Sequence, residues 1–121
     1  MVPIYPNVQT ARHATAGGMD NTLATATQAA VAGVRHVVIG VVASYNGDVD
    51  DKLVKLYDGA VDAANLKAEF PIASRPTKLD LSGGPLMRGT AGNAINVTLD
   101  ASGAAGIKGT LLLVTYQDKH G

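Results

Sequence analysis

The chain has 121 residues, of which 46% are hydrophobic, 4% aromatic and 17% charged. That much apolar material supplies a core and excludes a disordered charged tail, and the length suits one domain. Ten Lys+Arg balance ten Asp+Glu, so the basic surplus that nucleic-acid binding requires is missing, and the absence of cysteine excludes disulfides and zinc–thiolate sites.

The start, Met1-Val2-Pro3-Ile4-Tyr5-Pro6, has neither the positive region nor the apolar run of a secretory leader. The longest strongly apolar stretch is Val37 to Ala43, whereas a membrane-spanning helix needs about 20 residues. The expectation is a protein made in the cytoplasm, with neither a membrane nor a nucleic acid as partner. Residues 1–18 carry two prolines and a Gly17-Gly18 pair without a clear period. They read as part of an extended arm or first edge strand over 1–28, becoming ordered against something else. Within it, residues 22–29 alternate Leu23, Thr25 and Thr27 with alanines, as a strand does.

A β domain over 29–117 follows. Its clearest strand is 35–45, where Val37, Ile39, Val41, Ala43 and Tyr45 alternate with His36, Val38, Gly40, Val42 and Ser44. Both sets are largely apolar, which predicts a strand covered on both sides or lying in a subunit interface. Asn46-Gly47 ends it with a turn signature. Residues 52–57 form the next strand, closed by Asp58-Gly59. Residues 60–70 fit two patterns, a short helix through Ala60, Ala63, Ala64 and Ala68 or a strand through Leu66, Ala68 and Phe70. The Asp-Gly turn favours a hairpin return, and so a strand. Short strands are predicted over 77–81 and 94–101, and a two-faced one over 110–117, before a solvated tail at 118–121. About seven or eight strands punctuated by turn residues point to an all-β, single-domain β-sandwich or jelly roll with an aliphatic core.

Reactive constellations are scarce. The histidines are His13, His36 and His120, and although Ser44 and Asp48 lie near His36 in sequence, no serine sits in a nucleophile elbow. His36 is therefore read as a sheet-edge or interface residue, and no catalytic residue is assigned. Asn46-Gly47-Asp48-Val49-Asp50-Asp51 invites calcium but lacks the glycine and terminal glutamate of an EF-hand loop, so it reads as a solvated acidic hairpin loop and no metal site is assigned. The glycine pairs 83–84, 89–92 and 106–109 lack phosphate-loop spacing and are read as turns and bulges. Asn96-Val97-Thr98 is a formal glycosylation sequon inside a predicted strand. Glu69 is the only glutamate and tryptophan is absent, so paired carboxylates and a sugar platform are poorly supplied beyond Tyr45, Tyr57 and Tyr116. Aspartates gather over 46–62 and basic residues over 67–88, as solvated loops or as complementary patches between copies.

Three stretches carry a family resemblance. They are Ala29-Ala30-Val31-Ala32-Gly33-Val34-Arg35-His36-Val37-Val38, Lys52-Leu53-Val54-Lys55-Leu56-Tyr57-Asp58-Gly59, and residues 89–116 closing on Gly109-Thr110-Leu111-Leu112-Leu113-Val114-Thr115-Tyr116. In texture and strand order, the chain over 29–117 resembles the small β-sandwich virion proteins that decorate or cement the capsids of tailed bacteriophages. The resemblance implies a jelly-roll-like subunit, assembled as a homotrimer or a dimer, on the outside of the head. It implies the major capsid protein as partner, an arm reaching onto the shell, and a structural role with neither enzymatic activity nor cofactor. Tyr5, Arg12 and His13 are the arm residues expected to anchor such an interface. A tail, baseplate or head-fibre component, or a carbohydrate- or ligand-binding β-sandwich module, are the alternative expectations.

Overall fold

The computed structural model describes residues 8–9, 16–17, 23–47, 49, 51–72, 78–81, 85–103 and 105–118. Among these the strands are β1 (Val8–Gln9), β2 (Ala16–Gly17), β3 (Ala24–Gln28), β4 (Arg35–Tyr45), β5 (Leu53–Asp58), β6 (Leu66–Pro71), β7 (Lys78–Leu81), β8 (Met87–Arg88), β9 (Ile95–Leu99) and β10 (Gly109–Asp118). The predicted all-β sandwich is therefore the observed fold. Residues 60–70 contain a part of each expected pattern. Ala63–Asn65 form one 3₁₀ turn, capped by Asp62 Oδ1 accepting from the Ala64 N–H at 3.0 Å, and β6 then returns along β5.

Every pairing is antiparallel. One sheet runs β1-β10-β4-β7, with β2 also on β10 and β8 also on β4, and the other runs β3-β9-β5-β6. The β1 and β2 segments are two pieces of one edge, and β7 and β8 two pieces of another. Counted that way, the first strand lies beside the last and the second beside the last but one, which is jelly-roll order.

The core between the sheets is aliphatic. Val38, Val41, Leu111 and Leu113 of the first sheet meet Val54, Leu56, Val97 and Leu99 of the second, all at most 1% exposed. Tyr45 is the one aromatic residue of this buried cluster, and its hydroxyl donates across the sandwich to the Asp100 carbonyl at 2.6 Å. Burial, followed by the negative charge of Asp100, pushes its pKa up to about 12.

A β-bulge accounts for the two apolar alternations of β4. Val114 pairs with Gly40 and Thr115 with Val38, so Ile39 is the extra residue. Before the bulge His36 and Val38 face the core; after it Val41, Ala43 and Tyr45 do. One strand thus changes the parity of its inward face midway. The switch divides each apolar set between the two faces, and the outward positions Val37, Ile39 and Val42 are still apolar.

Candidate functional site

The outer faces of the two sheets are built from complementary halves of the same registers. On the four-stranded sheet one row crosses Thr25, Thr98, Lys55 and Glu69, and the next crosses Thr27, Asn96, Tyr57 and Leu66. Two of these side chains, Thr27 and Asn96, are bonded to each other and to the backbone. The Thr27 hydroxyl donates to Asn96 Oδ1, and Asn96 Nδ2 donates to the Gly59 carbonyl at 2.7 Å. Asn96 is 9% exposed and both ends of its amide are engaged, so the sequon sits in a closed ladder.

On the six-stranded sheet the outward residues are apolar in the middle. Val42 pairs with Leu112, Gly40 with Val114 and Val37 with Tyr116, while Ile39 stands on the bulge. Val42, Leu112, Val114, Ile39 and Tyr116 are half-buried, and Val37, flanked by Tyr116 and Arg88, is fully buried. Polar pairs lie at the two ends of this face. Ser44 Oγ lies 2.8 Å from Thr110 Oγ1 at one end, and Arg88 Nη1 lies 3.7 Å from Asp118 Oδ2 at the other.

Histidine chemistry takes a different form from the one read in the sequence. His36 is fully buried in the interior of the sheet, since β4 is paired on both sides, which corrects the expectation of an edge or interface position. Its Nε2 lies 2.9 Å from the Ala29 carbonyl, an acceptor only, so this nitrogen carries the proton. The Thr115 hydroxyl donates to Gln28 Oε1 beside it, closing a small buried polar group at that end of the core. Ser44 lies eight positions further along β4 and faces outward, about 25 Å away along the strand, so no serine–histidine pair forms.

The other candidate sites are also placed. Tyr45 is in the core, whereas Tyr57 and Tyr116 lie on the outer faces of different sheets, so the three form no common platform. Among the described residues there is no group of three or more His, Cys, Asp or Glu side chains able to hold a metal ion. Asp48 and Asp50 of the acidic loop lie outside the described residues, as does His120. The anchor residues Tyr5, Arg12 and His13 lie outside them too.

Asp58, at the end of β5, is the most elaborated carboxylate. It accepts from the Thr90 N–H at 3.0 Å, the Thr90 hydroxyl at 2.6 Å and the Asn93 amide at 3.3 Å. Burial works against its charge, but these bonds and the nearby Lys67 outweigh burial and hold the carboxyl below the usual aspartate value. The carboxylate thereby ties the β8–β9 connection to the four-stranded sheet. Gly89 is required in that connection, because a Cβ there would lie 2.8 Å from Ile95 Cδ1 and 3.0 Å from the His36 carbonyl. Gly92, with φ of +84°, turns the chain at its tip. Charges of the two regions meet within the chain: the Lys67 charge helps hold the Asp58 carboxyl down, and Lys55 is the cross-strand partner of Glu69.

The sequence reading put its named anchor residues on the arm and offered the strand 35–45 as a possible interface without naming residues of β10. The available signal was the double apolar alternation of both strands, with Gly40 in the middle of one. Comparison of the chain with protein-family models finds no match, and comparison with curated proteins finds none either.

Proposed function

We propose that this chain is a structural virion protein, a decoration or cement protein that binds the outside of a tailed-phage head and stabilises it by bridging major capsid protein subunits. The observation that carries the reading is the contrast between the two outer faces of the jelly roll. Val42, Leu112 and Val114 give the six-stranded sheet an apolar centre, while the opposite surface is mainly polar, with Thr25, Thr27, Asn96, Thr98, Lys55 and Glu69 beside Tyr57 and Leu66. One face is suited to exclude water against a flat protein shell, and the other to remain in solvent. A protein repeated over a symmetric lattice gains from avidity and contact area, without a reactive site. The resemblance of residues 29–117 to phage decoration proteins supplies the partner.

The test is to add the purified protein to emptied phage heads and measure their resistance to heat and pressure. The reading expects both to rise, saturating at a fixed number of copies per head. Heads that take up no protein, or take it up without gaining resistance, would overturn it.

A further inference from the structure

We propose that β3 is a strand-pairing edge for a second copy of this chain, joining two four-stranded sheets into one continuous sheet about a two-fold axis. The basis is a comparison of the four sheet edges. Among the described residues the β1/β2 edge shows two two-residue strands, and the β7/β8 edge a four-residue and a two-residue strand with Pro85 ahead of the second. The β6 edge has exposed Lys67 and Glu69, ends on Pro71, and is bulged at Lys67, since Leu56 pairs with Ala68 and Tyr57 with Leu66. Short pieces, charge, proline and bulges are the devices that keep an edge from pairing with another chain.

β3 has none of them. Its sequence Ala24-Thr25-Ala26-Thr27-Gln28 has no charge, proline or glycine, and its five pairs with β9 run without a break in register. Among the described residues β3 pairs with β9 alone. The strand is also self-complementary. An antiparallel pair centred on Ala26 sets Thr25 against Thr27 of the second copy and Thr27 against Thr25, which are favourable cross-strand partners. It also sets Leu23, 51% exposed in the single chain, against Ala29 of the second copy on the same outer side. An isologous contact of this kind closes at two copies. The inference needs no capsid and stands or falls apart from the cementing role.

The first measurement is the solution mass of the intact protein by light scattering, which should equal two chains of 12.3 kDa. The second tests the register. Because the chain has no cysteine, Thr25→Cys and Thr27→Cys variants are prepared separately, mixed and mildly oxidised. The proposed register brings residues 25 and 27 of different copies within disulfide reach. A covalent two-chain species should form in the mixture and not in either variant alone, and Val61→Cys, at an exposed turn, should give none. Leu23→Lys should raise the dimer dissociation constant about tenfold or more. A mass of one chain or of three, or a mixture that cross-links no more than the Val61→Cys control, would overturn the proposal.

Discussion

The two sheets share one core but present unlike surfaces to the outside, and the contrast separates what folds the chain from what it offers to other molecules. Inward, both sheets contribute the same chemistry, aliphatic side chains at every second position, with the β4 bulge preserving the phase against β10. Outward, the four-stranded sheet carries threonines, an asparagine and Lys55 opposite Glu69, with Leu23, Tyr57 and Leu66 among them, whereas the middle of the six-stranded sheet carries valine, isoleucine and leucine. Folding alone requires only the inward halves. Of the outward apolar half, Val37 is already buried, and half-buried Ile39, Val42, Leu112 and Val114 would gain further hydrophobic stabilisation against a partner.

The comparison can be broken most severely through the shared core. Leu113→Ala from the six-stranded sheet and Leu56→Ala from the four-stranded sheet should each cost about 2–5 kcal/mol in denaturant unfolding, because both side chains are almost fully buried in the same cluster. Comparable losses are the expected outcome. A large loss from one sheet and a negligible one from the other would mean that the core is not shared.

A smaller effect is expected where the β8–β9 connection is tied down. Asp58→Ala leaves the Thr90 N–H, the Thr90 hydroxyl and the Asn93 amide without their acceptor, and should cost about 1–3 kcal/mol. Because the folded carboxyl titrates below its unfolded value, its contribution is complete above the unfolded pKa and is lost as pH falls through the folded one. Wild-type protein should therefore lose stability more steeply than Asp58→Asn on acidification below about pH 4, read from unfolding curves at a series of pH values. Gly89→Val, which drives a side chain into Ile95 and the His36 carbonyl, should cost about 1–3 kcal/mol in the same assay.

Much of the fold was legible in the sequence because hydrophobic alternation is local. The predicted strand at residues 35–45 coincides with β4, and the strands predicted at 52–57, 94–101 and 110–117 lie within a residue or two of β5, β9 and β10. The facing of β4 was not legible, because a bulge depends on its partner strand and Ile39 looks the same with or without Val114 and Thr115 opposite. His36 was misplaced for a related reason. Its position at the start of a strand suggested an edge, but edge or interior is decided by pairing with β8 and β10, which are distant in sequence. The outer surface was partly legible, since the double alternation of β4 and β10 pointed to an interface without saying which residues form it.

The smallest effects on stability, and the largest expected on binding, come from the outer faces themselves. Val42→Lys and Leu112→Lys occupy half-buried outward positions, and each should change unfolding free energy by less than about 1 kcal/mol. The most direct test of the central claim is co-sedimentation of wild-type protein, Leu112→Lys and Lys55→Glu with emptied phage heads. The account predicts that wild type and Lys55→Glu are carried down with the heads while Leu112→Lys stays in solution. Equal binding by all three, or loss of binding only for Lys55→Glu, would contradict it.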